Sequence, residues 1–210
     1  MQSVPVPRYW KRAVRELSQR DVTLARIIES AAHHRIAVRP DPFVALARAM
    51  VGQQISVKAA QSIWTRLNAC VESFSPGEIL ALEVAVLRAA GLSERKAGYL
   101  HDLARQLASG TIDPRRWKQM DDEAVIADLT RVKGIGRWTA EIFLIFHLQR
   151  PDVLPVDDLG LQRAVSLHYN RGRPLSEPRI RKIGQAWAPW RSVASWYLWR
   201  SLDQAVKRDG

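Results

Sequence analysis

Leu129-Thr-Arg-Val-Lys-Gly-Ile-Gly-Arg-Trp-Thr-Ala140 sets Gly134 and Gly136 on either side of Ile135, between two apolar helical patterns. Glycine there lets the chain take positive φ and brings bare backbone close to a partner. A helix is expected from Arg137 to Leu148. The N–H groups of the turn and of that helix's first residues lack intrahelical acceptors, and together they suit a phosphate oxygen. The same Gly-Ile-Gly also serves as a plain helix-to-helix turn in any all-α protein. Leu154-Pro-Val-Asp157 follows one helix and a short loop later, with Asp157 21 positions after Gly136 (157 − 136) and at the start of another helical pattern. Such an aspartate serves as an N-cap. The helix macrodipole also holds a carboxylate there anionic, as a reaction that builds positive charge on its substrate requires.

Working outward, the chain reads as helices nearly throughout. Apolar residues at three- and four-residue spacing predict helices over Arg8 to Leu17, Val22 to Ala32, Ala45 to Gln53 and Val57 to Val71. Ser75-Pro-Gly-Glu78 is a capping box with proline at the first helical position, predicting Pro76 to Ala81. Val84 to Ala90, Glu94 to Ala108 and Asp122 to Arg131 come next, with Gly91 and Gly110 placed as helix-ending C′ glycines. Beyond the glycine turn come Asp158 to Tyr169, Ser176 to Ala188 and Arg191 to Lys207. Alternating patterns are scarce, and Arg35 to Val38 is too short to count as a strand.

A chain of 210 residues with 47% hydrophobic content is long enough for a substantial core, in one domain or two lobes. No apolar run approaches the roughly 18 to 20 residues of a membrane span, and Met1-Gln-Ser-Val-Pro lacks a signal-peptide apolar core, so a cytoplasmic location is expected. The one cysteine, Cys70, excludes an intrachain disulfide and a four-cysteine iron–sulfur cluster. Its place in the pattern of Ile63, Leu67 and Val71 reads as a buried, inert thiol. The histidines show no metal-ligand spacing, and the adjacent His33 and His34 read as surface or loop residues.

A formal net charge of +11 favours a polyanionic partner. From Arg163 to Arg200 the basic residues are Arg163, Arg171, Arg173, Arg179, Arg181, Lys182, Arg191 and Arg200, with Glu177 as the acidic exception. This reads either as a phosphate-binding footprint or as a solvated basic face.

Three further runs join the glycine turn and Pro155-Val-Asp157: Met50-Val-Gly-Gln-Gln-Ile-Ser56, Gly91-Leu-Ser-Glu-Arg-Lys-Ala-Gly-Tyr-Leu100 and Pro189-Trp-Arg-Ser-Val-Ala-Ser-Trp-Tyr-Leu-Trp199. Together, in this order, they resemble the helix-hairpin-helix (HhH-GPD) DNA glycosylase superfamily, and within it the 3-methyladenine DNA glycosylase II branch. The resemblance implies an all-α, two-lobed fold with a helix-hairpin-helix motif and a central cleft. It implies a single glycosylase core over 1–210, with one lobe over 35–130 and the other over 1–34 plus 131–210. Full-length members often carry an N-terminal α/β domain; with about 40 residues before the Gln-Gln helix, the short form is expected here.

The same resemblance implies base excision repair chemistry. The partner is double-stranded DNA containing alkylated bases, met by a monomer that is nucleoid-associated in a bacterium. The alkylated base is flipped out of the duplex and its N-glycosidic bond hydrolysed. Asp157 matches the catalytic aspartate, and Asp158 reads as a first-turn helix residue. Gln53, Gln54 and Ile55 fall at the minor-groove wedge, with Gln54 standing where some relatives have leucine. Lys133, Gly134, Ile135, Gly136, Arg137 and Thr139 form the DNA-binding hairpin. Trp199, Trp138, Trp196 and Ile142 are candidates for the base pocket, although tryptophans at helical spacing also pack cores. Ile142 replaces a tyrosine of some relatives.

Bifunctional relatives place a nucleophilic lysine two positions after the second hairpin glycine. Here that position is Trp138, which implies a monofunctional enzyme without lyase activity. No catalytic cofactor is implied; backbone carbonyls of Arg131, Lys133 and Ile135 are the family's place for a monovalent cation. Two rivals remain open. One is a non-catalytic helix-hairpin-helix DNA-binding module, which has no use for Asp157 beside aromatic residues. The other is a glycosylase for oxidised or mismatched purines.

Overall fold

The computed structural model describes residues 6–31, 36 and 41–206, the last four as backbone alone. His33, His34 and most of the segment 35–38 lie outside the described residues, as do Ala32 and Lys207 at the ends of two expected helices; Ile36 is described and buried.

The fold is all-α, with no strand among the described residues. The helices are α1 (Trp10–Arg20), α2 (Val22–Ser30), α3 (Pro42–Gly52), α4 (Val57–Ala69), α5 (Pro76–Ala81), α6 (Val84–Ala89), α7 (Glu94–Ala108), α8 (Pro114–Trp117), α9 (Asp122–Leu129), α10 (Arg137–Phe146), α11 (Leu159–Tyr169), α12 (Glu177–Gly184) and α13 (Arg191–Val206).

Many of these helices are short, and side-chain caps define where they start. Asp21, Asp41, Ser56, Ser75, Ser93, Asp113, Asp121 and Asp158 each accept a main-chain N–H from the helix that follows. Each such bond satisfies a donor that helical geometry leaves without a partner. Gly91 and Gly110 end α6 and α7 at φ +108° and +72°, as their sequence positions imply. Helix α8 was not expected, although Asp113-Pro114 carries the cap-plus-proline signal used for α5. The single helix expected over Ser176 to Ala188 is divided. Helix α12 ends at Gly184, and a 3-10 turn over Gln185–Trp187 carries the fully buried Trp187 inward. Cys70 is half-buried at the end of α4 rather than in the core, its Sγ–H directed at the Arg66 carbonyl.

The chain forms two compact units, residues 1–38 with 149–210, and residues 39–148. This division differs from the expected lobes: residues 131–148 group with the middle of the chain. The reason lies in α10, whose face of Ala140, Phe143 and Leu144 is fully buried and packs on α3 and α9. Within the 39–148 unit α3 is the central helix. It is buried at Phe43, Leu46, Met50 and Val51 and packs on α4, α7 and α10.

In the other unit α13 packs on α1, α2 and α11. Trp10 meets Trp196 edge-on with ring centres 5.3 Å apart. Asp21 ties this unit together. Its Oδ1 accepts the N–H groups of Thr23 and Leu24, and its Oδ2 accepts the Tyr169 hydroxyl at 2.7 Å and the Trp187 indole N–H at 3.0 Å. Burial, reinforced by the bond to Asp21, raises the Tyr169 phenol above its ordinary pKa.

Removing that carboxylate strands a phenol and an indole N–H in a packed interior. Asp21→Ala should therefore lose about 2–4 kcal/mol of stability. For a chain of this size that is a fall in Tm of roughly 5–12 °C, readable by circular dichroism. An unchanged melt would mean that the four bonds contribute little.

Candidate functional site

In the 39–148 unit, Val132 and Ile135 are buried and close the hairpin through the Ile135 N–H to Val132 carbonyl bond at 3.1 Å. Gly134 has φ +84°, and a Cβ there would run into the Tyr99 ring, so the position excludes any larger residue twice over. Gly136 has an ordinary extended φ of −93° and serves as the cap residue of α10 with no side-chain acceptor. The space where its Cβ would stand is open. Positive φ is thus confined to Gly134, whereas Gly136 leaves exposed backbone at a helix start, the arrangement that accommodates an anion.

The other hairpin candidates divide by exposure. Lys133 is exposed, its main-chain N–H reaching Asp102 Oδ2 at 3.3 Å. The Ile135 side chain is buried, which leaves only its backbone to contact a partner. Thr139 is 1% exposed, and its hydroxyl is engaged within the protein. Arg137, also expected at the interface, is exposed and ion-paired with Glu123 and with the buried Glu141. Those pairings, Glu123 foremost, raise its pKa above the ordinary arginine value. A buried carboxylate needs a cation, and Arg137 supplies it.

Gln53 likewise moves out of the wedge. Its side-chain amide donates to the Gly134 carbonyl at 2.9 Å and to the Thr139 hydroxyl at 2.8 Å, locking the end of α3 to the hairpin. Gln54 and Ile55 project from the turn that follows, both exposed. Gln54 has φ +58°, a left-handed conformation that non-glycine residues adopt at a cost of order 1–3 kcal/mol when the surroundings impose it. The imposing group is Lys96, absent from the expected site, whose ammonium donates to the carbonyls of Val51 at 2.9 Å and Gln53 at 2.8 Å. Burial, and then the neighbouring charge of Arg95, lowers its pKa below the usual lysine value. An open depression of about 340 Å³ adjoins this turn, lined by Gln54, Ile55, Ile63, Leu92, Arg95 and Lys96 among others.

The Gly134 carbonyl is taken by Gln53, whereas those of Arg131, Lys133 and Ile135 accept no backbone hydrogen bond among the described residues. Among the described residues, no group of three or more His, Cys, Asp or Glu side chains is placed to hold a metal ion.

In the unit of residues 1–38 and 149–210, the segment Leu154–Asp158 is pinned from both sides. Ser192 Oγ accepts the Val153 N–H, the Gln162 amide donates to the Val156 carbonyl, and Leu154 packs against Gly184. Asp157 stands exposed on this rigid turn and accepts no hydrogen bond among the described residues. Asp158, rather than Asp157 or a first-turn position, is the N-cap of α11. Its Oδ1 accepts the Leu161 N–H at 2.7 Å and the Trp199 indole N–H at 2.8 Å. The sequence offered two adjacent carboxylates, and the structure engages one and leaves the other open to solvent.

Trp199 is half-buried on α13. Trp196 belongs to the core instead, 4% exposed between Trp10 and Tyr197 and 5.9 Å from the Arg200 guanidinium. On α10, Trp138 is half-buried in the first turn and Ile142 is buried. Of the basic run, Arg181 pairs with Glu177 and Arg191 binds Asp152 through two nitrogens, whereas Arg163, Arg171, Arg173, Arg179 and Lys182 are exposed.

The two glycines make opposite predictions. Gly134→Ala should lower Tm by several degrees, because its Cβ meets the Tyr99 ring in a left-handed conformation. Gly136→Ala should leave Tm within about 2 °C, and if its exposed backbone meets a phosphate the same change should weaken duplex DNA binding about fivefold or more. Fluorescence anisotropy beside a thermal melt separates the two, and undiminished binding by Gly136→Ala would remove the hairpin from the interface.

Residues 47–189 match the HhH-GPD superfamily of base excision DNA repair proteins. The chain is 32% identical over 182 residues to DNA-3-methyladenine glycosylase 1 of Schizosaccharomyces pombe, covering 85% of this chain and 80% of that protein. It is 29% identical over 170 residues to DNA-3-methyladenine glycosylase 2 of Escherichia coli, covering 76% and 57%. Among solved structures, S. pombe 3-methyladenine DNA glycosylase (Mag1) in complex with abasic DNA superposes with a TM-score of 0.84 at 33% identity, covering 90% of this chain and 95% of that one. The DNA-3-methyladenine glycosidase of Bacillus halodurans gives a TM-score of 0.74 at 36% identity, covering 90% and 88%. With the glycine hairpin, the aspartate before α11 and this match over most of its length, the chain belongs to the HhH-GPD superfamily of base excision DNA repair glycosylases.

Proposed function

We propose that the protein removes alkylated bases of the 3-methyladenine and 7-methylguanine type from double-stranded DNA by hydrolysing the N-glycosidic bond, and that it leaves the strand intact. The observation that carries this reading is Asp157, an exposed carboxylate on a pinned turn, next to a second aspartate already engaged in capping α11. The names of the relatives point to the same substrate class.

The chemistry follows from the substrate. An N3- or N7-alkylated purine carries positive charge, so when the C1′–N bond breaks the base takes the electron pair and leaves neutral. It needs little help from a general acid. The sugar is left oxocarbenium-like, and Asp157 stabilises that charge electrostatically. Water adds at C1′, and its proton passes to Asp157 or to solvent. Trp199, half-buried on α13 in the same unit as Asp157, supplies an aromatic face for an electron-poor base.

The reaction involves no covalent sugar–enzyme intermediate, because the position two residues after Gly136 is Trp138 and has no amine to attack C1′. Lys133, exposed in the hairpin, pairs with backbone phosphate. The exposed tip of Gln54 and Ile55 occupies the gap left by the flipped base.

The test is base release from methylated duplex DNA under single-turnover conditions, with strand breaks scored before and after alkali. Wild type should free 3-methyladenine and 7-methylguanine and give breaks only after alkali. Asp157→Asn should slow release about 100-fold or more with DNA affinity within threefold. Binding without base release by the wild type would favour a non-catalytic module, and breaks without alkali would sink the monofunctional reading.

A further inference from the structure

We propose that Lys96 is a positioning residue that holds the peptide between Gln53 and Gln54 in one of its two possible orientations, and so aims the exposed tip of Gln54 and Ile55 at the duplex. This rests on the proposed function above and gives a task to a lysine on α7, outside the hairpin.

The turn itself supplies the first observation. Gln53 has φ −57° and ψ 131°, and Gln54 follows at φ +58°. These are the angles of a type II turn over residues 52–55. A type I turn joins the same ends with the central peptide turned over and with φ negative at both middle residues. Type II favours glycine or asparagine where this chain has Gln54, so the residue itself gives no reason to choose it. Lys96 does. The oxygen of the central peptide is the Gln53 carbonyl, which accepts from the Lys96 ammonium at 2.8 Å. Turned over, that oxygen would point away from the lysine. The same ammonium donates to the Val51 carbonyl at 2.9 Å, in the last turn of α3, where carbonyls lack intrahelical donors. One donor thus anchors the lysine to the helix end and another selects the turn.

The second observation is where the charge sits. Lysines ordinarily keep the ammonium in water. Lys96 is half-buried and turned onto main chain, and the charge acting on it is the like charge of Arg95. The third is the surroundings of the tip. Ile55 is 38% exposed beside the open depression, whose lining includes Ile63 and Leu92. A tip free to flip could fold that apolar side chain down over them and leave water. The lysine keeps it projecting.

A tip fixed before the duplex arrives has little freedom left to lose when it enters the stack. The effect falls on opening the stack at a lesion and on the excision that follows. Affinity for undamaged duplex, which on the proposed function rests with the hairpin and the basic surface, is left largely alone.

Lys96→Met keeps the aliphatic stem and removes the donors, whereas Lys96→Arg keeps donors at comparable reach. In a nuclear Overhauser spectrum a type II turn gives a strong cross-peak from Gln53 Hα to the Gln54 N–H, and a type I turn gives one between the two N–H groups instead. Wild type and Lys96→Arg should show the first pattern, and Lys96→Met the second. Single-turnover release of 3-methyladenine from duplex DNA should slow about tenfold in Lys96→Met and about threefold or less in Lys96→Arg, with affinity for undamaged duplex within twofold in both.

In a Gln54→Gly background, where positive φ carries no steric cost, Lys96→Met should lose less than about twofold. A type II pattern retained in Lys96→Met, release unslowed by it, or a tenfold loss undiminished in the Gln54→Gly background overturns the proposal. If the wild type releases no base while the cross-peaks respond as expected, the hold on the turn stands and the proposed function falls. Should Lys96→Met melt more than about 5 °C below wild type, Lys96→Gln takes its place, since a shorter amide cannot bridge both carbonyls.

Discussion

A helix cannot satisfy the N–H groups of its own first turn, and that constraint organises this protein. Eight helix starts meet it with an aspartate or serine cap, which lets short helices such as α5 and α8 exist with clean ends. At α10 the cap residue is Gly136, which brings no acceptor, and the exposed backbone is left to a partner. At α11 the cap is Asp158, and because it takes that role the preceding Asp157 remains open to solvent. The open start of α10 and the open carboxylate before α11 are thus two answers to one problem in main-chain hydrogen bonding.

Most of this was legible in the sequence where the signal was local. Caps, prolines at first helical positions and C′ glycines carry their reasons within a few residues, and the helices from α5 to α7 followed from them. Helix α8 had the same signal and was passed over because four residues are too few for periodicity to register. The grouping of residues 131–148 depended on α10 packing against α3, a contact between segments some ninety residues apart that no local pattern encodes.

The site shows the same limit. The motif singled out the turns at Gly134 and at Asp157 and could not say which of their side chains are engaged within the protein. Gln53, Arg137 and Thr139 are polar residues in a DNA-binding motif, yet each is engaged inside the 39–148 unit, by Gly134, by two glutamates and by Gln53 respectively. Lys96 went unassigned because its partners are main-chain carbonyls, which leave no mark in sequence. Trp196 and Trp199 share helical spacing and differ in burial, a distinction set by Trp10 from the far end of the chain.

The amide of Gln53 has a mechanical meaning. By bonding the hairpin's own Gly134 carbonyl while its main chain leads directly into Gln54, it makes the exposed turn of Gln54 and Ile55 and the glycine hairpin parts of one stiff piece. Their separation is then built into the protein as a gauge of fixed length. On the proposed function, a duplex that engages both must adopt the spacing the gauge dictates, and DNA that is already weakened in stacking conforms at the least cost.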